Sequence, residues 1–144
     1  MSRLAIDKVA PGALQAVYGM EQYSRDHVDP TLYKLIKLRA SIVNGCAFCT
    51  DMHSVDARRL GETDRRLYSI VVWRDSSFFN PRERAAFAWT EAVTLLSESH
   101  VPDDVYILAR EQFGESELVD LTIAVTTINS WNRLAVSFRQ TPSA

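Results

Sequence analysis

The sequence has few cysteines, glycines and prolines, and it has no surplus of either charge. Its 144 residues include only two Cys, five Gly and five Pro, which excludes a disulfide-stapled domain and a fibrous or low-complexity chain. Sixteen basic residues against eighteen acidic ones leave a formal charge of −2, and the basic residues form no stripe. This balance argues against nucleic acid as the main partner.

Long hydrophobic runs are also missing. No apolar stretch approaches the roughly 18 residues that a membrane span needs, and Asp7 appears before the hydrophobic region of a signal peptide could develop. We therefore expect no membrane partner and a cytoplasmic location. A chain that is 47% hydrophobic and 24% charged fits a single globular domain, 1–144, with one sizeable core.

Apolar residues recur with the helical period along nearly the whole chain, and no segment alternates as a strand. Pro30 suits the first turn of a helix, whereas Asn44 and Gly45 suit a helix end. Asn80 followed by Pro81 marks another helix start. The sequence thus predicts an all-α single domain of about seven helices. Their approximate ranges are 12–24, 30–44, 46–60, 63–73, 80–97, 102–113 and 116–136.

The two cysteines stand at the start of the third predicted helix, directly after Gly45. On a helix, Cys46, Cys49 and His53 occupy positions i, i+3 and i+7, which share one face. The helix dipole and unpaired N–H groups at this end favour a thiolate. An ordinary thiol with a pKa of about 8.5 is roughly 3% ionised at pH 7, and such surroundings lower that pKa to about 3.5–7.5. The pair is suited to redox cycling, because one thiol can capture a sulfenic acid formed on the other.

Other interpretations of the cysteine pair fit the sequence less well. A thioredoxin fold needs a βαβ pattern, which is missing, and haem attachment needs His where Thr50 stands. A zinc site could use both thiols and His53, but the other histidines, His27 and His100, are far away in the sequence. The structural alternative is two buried, inert cysteines beside a satisfied histidine. We expect neither a metal nor a cofactor.

The segment from Leu38 to His53, LRASIVNGCAFCTDMH, resembles the core of the alkylhydroperoxidase D-like (AhpD-like) branch of the carboxymuconolactone decarboxylase family. Later landmarks around 73–79, 83–92 and 128–135 are similar as well, so the resemblance covers about residues 12–139. It implies an all-helical homo-oligomer, a trimer or hexamer, with peroxidase activity towards small hydroperoxides. The implied partner is a dithiol reductant such as a lipoylated protein.

The resemblance also implies roles for the residues of the CxxC helix. In such proteins the second cysteine attacks the peroxide and the first resolves it, so Cys49 is expected to be peroxidatic and Cys46 resolving. His53 matches the histidine of the family's proton relay. A lactone decarboxylase or related lyase, which would need no cysteines, and a non-catalytic redox sensor stay open as alternative functions.

One position departs from the family pattern. Members often have Glu twelve residues before the first cysteine, but this sequence has Lys34. If the helices around Gly45 form a hairpin, Lys34 lies about 16 Å and His53 about 12 Å from the turn, so their side chains could meet. We predict Glu91 as the replacement carboxylate, because an acid on an apolar helix face is unusual without a role. Glu21 is the weaker candidate.

Two further expectations concern the oligomeric state and the walls of the pocket. Trp73, Phe78 and Phe79 cluster where a monomer would leave them exposed, which favours a homo-oligomer. On the last helix, the candidate pocket walls are Asn129, Trp131 and Asn132.

Overall fold

The structure, a computed structural model, describes residues 2–142 and shows α-helices without a strand in that part of the chain. The helices are α1 Ile6–Val9, α2 Pro11–His27, α3 Pro30–Val43, α4 Ala47–Arg59, α5 Asp64–Ser69, α6 Pro81–Thr94, α7 Leu96–Ser99, α8 Asp103–Gln112 and α9 Glu115–Ser137, with a 3₁₀ turn Ile70–Val72 after α5. The all-α fold predicted from helical periodicity is confirmed.

The described residues form two more α-helices than the predicted count of about seven, namely the single-turn helices α1 and α7. Helix α7 is split from α6 at Leu95, whose backbone (φ −95°, ψ 42°) is not helical. The predicted helix over 63–73 ends at Ser69, and a 3₁₀ turn follows. This turn consists of three consecutive β-branched residues, which lower helix propensity. The CxxC helix is therefore α4, the fourth and not the third.

The capping residues act as the sequence indicates. The Asp29 side chain accepts a hydrogen bond from the Leu32 backbone N–H at 2.9 Å. Asn80 and Glu83 form a reciprocal capping box, with both bonds at 2.9 Å. Gly45 adopts a left-handed conformation (φ 65°) directly after α3, so the chain can reverse into α4 without the steric penalty of a side chain.

Helix α3 is the central element of the fold. It packs against α4, α6 and α9, and Leu35, Ile36 and Ala40 are fully buried along it. One apolar cluster joins α3 to α6, α8 and α9, and a second joins it to α4, α5, α6 and the 3₁₀ turn. Because α3 is held on several sides, the turn at its C-terminal end has a fixed position from which α4 begins.

The aromatic cluster after the 3₁₀ turn is largely buried, contrary to prediction. Trp73 and Phe79 are each only 5% exposed, and both pack against Phe87, with ring centroids 5.6 and 5.1 Å apart. The loop folds back because the Arg84 guanidinium donates to three loop carbonyl oxygens, those of Trp73, Arg74 and Ser76, at 2.7–2.9 Å. These aromatics therefore give no support to a homo-oligomer.

A buried polar network joins the end of α3 to α9. The side-chain amide of Asn44 donates to the Oδ1 atoms of Asn129 and Asn132 at 3.1 and 2.9 Å. Asn132 in turn donates to the Ser41 hydroxyl at 3.1 Å, and Asn132 is only 1% exposed. The network ties the turn before Cys46 to the longest helix of the structure.

We expect Asn132→Ala to lower the free energy of unfolding by about 1–3 kcal/mol, because the buried Ser41 hydroxyl loses its donor and the Asn44 amide loses one of its two acceptors. Urea unfolding monitored by circular dichroism measures the loss. The control is Ser130→Ala on the same helix, where the hydroxyl bonds only the carbonyl oxygen of Thr126; its effect should stay within about 0.5 kcal/mol. Equal stability of the two variants would contradict the structural role of the network.

Candidate active site

The two cysteines are joined as a disulfide at the start of α4, with Cα atoms 5.4 Å apart. Cys46 is the N-cap, and its Sγ accepts a hydrogen bond from the Cys49 backbone N–H at 3.3 Å. Cys46 and Cys49 are 2% and 1% exposed. The predicted placement at a helix start is therefore found, with Cys46 one residue before the first helical residue, Ala47.

A cavity of about 330 Å³ lies beside the pair, and we call it the thiol cavity. Cys49 and His53 line it, whereas Cys46 does not. Its apolar walls come from α2, α4 and α9 and comprise Leu14, Tyr18, Phe48, Met52, Trp131 and Ala135. Its charged lining comprises Glu21, Arg25, Lys34, Lys37 and Asp56. A reactant in this cavity would meet one of the two sulfurs, an imidazole and several charges.

A buried ion pair between Glu21 of α2 and Lys37 of α3 forms one side of the thiol cavity. Glu21 is 5% exposed and Lys37 is 2% exposed. The other carboxylate oxygen of Glu21 accepts hydrogen bonds from the Tyr33 hydroxyl at 2.9 Å and the Trp131 indole at 3.2 Å. Burial alone would raise the pKa of Glu21, but the charge and hydrogen bond of Lys37, with the hydrogen bonds of Tyr33 and Arg25, outweigh it and hold that pKa below its ordinary value. The carboxylate is therefore ionised at neutral pH.

His53 is buried in the same cavity. His53 is 3% exposed, and no described residue forms a hydrogen bond with either of its ring nitrogens. Burial, followed by the positive charges of Lys37 and Lys34, lowers the pKa of His53 to about 3. The imidazole is therefore neutral at pH 7.

Comparison with known proteins identifies the group to which the chain belongs. The model of the carboxymuconolactone decarboxylase family matches residues 11–92, which is more than half of the chain. The chain belongs to this family. The uncharacterized protein YdfG of Bacillus subtilis (strain 168) is 40% identical to it over 136 residues, 94% of this chain and 92% of YdfG.

Solved structures place this family member in the AhpD-like branch. ATU0492 from Agrobacterium tumefaciens superimposes with a TM-score of 0.96 at 40% identity over the full length of both chains. Its function is unknown, and it has been suggested to be the antioxidant defence protein AhpD. The debrominase Bmp8 shares the fold, with a TM-score of 0.83 and 20% identity over 93% of this chain and 73% of its own. The resemblance of the CxxC segment to AhpD-like proteins is thus confirmed.

The position that departs from the family pattern lies in the thiol cavity. Lys34 lines the cavity with His53, as the hairpin geometry predicts, and its Nζ contacts Asp56 Oδ2 at 2.7 Å. Burial raises the pKa of Asp56, but the hydrogen bond and charge of Lys34 outweigh that effect and lower it. Asp56 is three residues after His53 on the same helix face, so helical spacing could have identified it.

The predicted relay carboxylate, Glu91, does not line the thiol cavity. Its carboxylate accepts from Arg39 Nε at 2.8 Å, from the Trp73 indole at 2.7 Å and from Arg74 Nη2 at 2.5 Å. These partners hold the pKa of Glu91 below its ordinary value, although burial opposes them. The position of this acid on an apolar helix face therefore has a structural explanation, and its relay role stays a prediction. The weaker candidate, Glu21, lines the thiol cavity with Cys49, as does Asp56.

The three candidate pocket residues on α9 do not all line the thiol cavity. Trp131 lines the thiol cavity, whereas Asn132 serves the network that holds the turn after α3. Asn129 joins that network and also lines a separate cavity of about 560 Å³ between α6 and α9.

Besides Asp56, sequence reasoning missed Lys37. Tyr33, Lys37 and Ser41 follow one another at i, i+4 and i+8 on α3, and all three are buried. A lysine on such a stripe is the available signal, because lysine is rarely buried unless it is paired.

Within residues 2–142, no three His, Cys, Asp or Glu side chains are grouped so that they could hold a metal ion. None of the described helices has the length and apolar character needed to cross a bilayer.

We expect the stability of the oxidised protein to fall with decreasing pH through His53. The folded-state pKa is about 3, whereas the unfolded-state value is about 6.5. Between these values the unfolded chain binds a proton that the folded protein does not, so stability declines as the pH falls below about 6.5. The contribution is at most about 1.4 kcal/mol per pH unit.

Urea unfolding of the wild type and His53→Gln at pH 6.5, 5.5 and 4.5 tests this dependence. The other acidic groups contribute to both proteins, so the difference between the two slopes isolates the histidine. The wild type should lose stability more steeply; parallel curves would mean that His53 is not held neutral.

Proposed function

We propose that the protein is a thiol-dependent peroxidase that reduces small hydroperoxides by cycling Cys46 and Cys49 between dithiol and disulfide. The observation that carries this proposal is the disulfide-bonded pair at the start of α4, with only Cys49 lining the thiol cavity. An AhpD-like fold and a CxxC pair in one chain support an oxidoreductase.

Cys49 is the attacking sulfur in this proposal. Its thiolate forms a bond to the distal oxygen of the hydroperoxide, the O–O bond breaks, and the alkoxide takes a proton and leaves as an alcohol. The Cys46 thiol then attacks the sulfenic acid on Cys49, so that an S–S bond forms and water leaves. Since Cys46 is the N-cap, its sulfur already lies against the Cys49 backbone.

The thiol cavity supports a small organic substrate. Its volume of about 330 Å³ is at the lower end of ordinary ligand pockets, which span roughly 300–1,000 Å³. Leu14, Phe48 and Trp131 give it apolar walls, which suit the organic part of an alkyl hydroperoxide. His53, as a neutral imidazole, can hydrogen-bond the peroxide oxygens and pass a proton.

A dithiol reductant completes the cycle. It transfers two electrons to the disulfide, becomes a disulfide itself and returns both cysteines to thiols. A lipoylated protein fits this chemistry, and we propose a reducing cytoplasmic setting for the enzyme. A lyase of the decarboxylase type would have no use for the cysteine pair, whereas a redox sensor would form the disulfide without turnover.

Turnover separates the peroxidase from the redox sensor. With dihydrolipoamide in excess, the wild type should consume many equivalents of an alkyl hydroperoxide, and free-thiol counting should show loss of both thiols after oxidant alone. Cys49→Ser should show no catalysed consumption. If the wild type consumes a single equivalent and stops, the protein is a sensor and the peroxidase proposal fails.

The two cysteines should differ in their first reaction with peroxide. Cys46→Ser should react once and leave a sulfenic acid on Cys49 that a dimedone-type probe labels, because Cys49 lines the cavity, but it should not turn over. Cys49→Ser should give no label. Intact mass after one equivalent of peroxide measures both variants; label on Cys49→Ser alone would reverse the assigned roles.

We also propose a homo-oligomer, now on the basis of other residues. Tyr68, Val71 and Val72 are 71%, 57% and 59% exposed within one short stretch, and such apolar surface is typical of contact regions. Light scattering at micromolar concentration should give a mass well above 16.3 kDa. Tyr68→Glu should shift the protein towards that smaller mass; a wild-type monomer would rule the oligomer out.

A further inference from the structure

Building on the proposed peroxidase function, we infer that Lys37 is the acid–base residue of the thiol cavity and that Glu21 is its positioning counter-ion. In this role the Lys37 ammonium stabilises the Cys49 thiolate and gives its proton to the departing alkoxide. The positive charge in this role comes from α3, the helix that ends just before the CxxC pair.

Burial of this ion pair calls for a functional explanation. Glu21 and Lys37 are 5% and 2% exposed, and apolar residues of similar volume usually serve stability at least as well as a buried pair. The pair also faces the cavity that contains Cys49. A cation fixed beside a buried thiol favours the thiolate over the neutral form.

Glu21 is suited to hold Lys37 and not to exchange protons itself. One carboxylate oxygen contacts Lys37 and Arg25, and the other accepts from Tyr33 and Trp131. Lys37, by contrast, has three N–H groups, and Glu21 is its one hydrogen-bond acceptor among the described residues. The Tyr33 ring lies 3.9 Å from the Lys37 nitrogen, which fixes the ammonium further without accepting a proton.

The other basic groups of the cavity fit this role less well. Lys34 is engaged by Asp56 and its side chain is 20% exposed, and a guanidinium such as that of Arg25 does not release its proton in proteins. His53 is neutral at pH 7, so it carries no charge to stabilise a thiolate. Burial lowers the pKa of Lys37 to about 8, close to the pH at which proton transfer is efficient.

Protons and electrons balance in the resulting cycle. In the reduced enzyme the Cys49 thiol passes its proton to the Lys37 amine, giving thiolate and ammonium. Attack on the hydroperoxide forms the S–O bond, breaks the O–O bond and moves the ammonium proton to the alkoxide, which leaves as an alcohol. Cys46 then displaces water, and the dithiol reductant supplies two electrons that restore both thiols.

The titratable and charged groups that face Lys37 come from three helices. They are Glu21 and Arg25 on α2, Tyr33 and Lys34 on α3, and Cys49, His53 and Asp56 on α4. From α9 the neutral indole of Trp131 lines the cavity. Since Glu21 is the group in direct contact with Lys37, its removal should have the largest effect on the ammonium.

The test measures the thiolate without peroxide. In a Cys46→Ser background, which leaves one thiol, the rate of iodoacetamide alkylation is followed from pH 5 to 10. Cys49 should titrate below the ordinary thiol value of about 8.5. Adding Glu21→Gln and Lys37→Met together, which avoids an unpaired buried charge, should raise the midpoint by at least one pH unit and slow alkylation at pH 7 by about tenfold.

Glu62→Gln in the same background is the matched control, because Glu62 is a carboxylate with a 7% exposed side chain, paired with Arg66 outside the thiol cavity. It should leave the midpoint unchanged. An unchanged midpoint in the folded double variant would overturn the inference. Glu91→Gln in the same background is a further arm, and a larger shift there than in the variant with both Glu21→Gln and Lys37→Met would assign the positioning role to Glu91 instead.

Lys37→Arg keeps the positive charge but cannot release a proton. It therefore tests the acid–base role of Lys37 even if the double variant does not fold. It should retain the low midpoint, while a single oxidation of Cys49 by peroxide slows at least tenfold. Oxidation at the parent rate would overturn the inference. If the wild type never turns over peroxide but the double variant shifts the midpoint, the peroxidase proposal fails and the link between Lys37 and the thiolate stands.

Discussion

The tight reversal between α3 and α4 is the constraint on which the site depends. Gly45 allows the turn because its φ of 65° lies in the region that glycine adopts without strain. Asn44 then locks the turn to α9 through Asn132. The reversal places the start of α4, with both cysteines, beside the buried stripe of α3. Cys49 and Lys37 are thus brought to one cavity by a turn that the long C-terminal helix holds fixed.

Burial of several charges in one cavity determines what His53 can do. Burial opposes its protonation most strongly, and the positive charges of Lys37 and Lys34 add to that effect. A histidine that stays neutral can accept and pass on hydrogen bonds, but it cannot supply the positive charge that an imidazolium would bring to a thiolate. The positive charges of this cavity therefore come from α2 and α3, since the CxxC helix contributes the carboxylate of Asp56 and the neutral His53.

The sequence within one segment predicts local features, but it does not predict which side chains pair between helices. The capping box at Asn80 and the shared helix face of Cys49 and His53 depend on spacing within one segment, so the pattern was sufficient. Glu21 and Lys37 are sixteen positions apart on different helices, and only the packing of α2 on α3 shows that they pair. The ion pair of Glu91 shows the same limit, since its partner Arg39 lies on another helix. Burial of an acid indicates a partner, but the sequence does not say which one.

The charge balance of the thiol cavity gives the departure at position 34 a physical meaning. Three cations and two carboxylates line the cavity, so the lining carries one excess positive charge while Lys37 is protonated, and a Cys49 thiolate neutralises it. A glutamate at position 34 would remove one cation and add a carboxylate. The excess would then be negative, and a thiolate would need a protonated histidine nearby to be stabilised. With Lys34 present, the charge balance favours a thiolate while His53 stays neutral, and in the proposed peroxidase reaction the proton for the alkoxide has to come from another group. Lys37 is the cavity lysine that is almost fully buried and held by a fixed counter-ion.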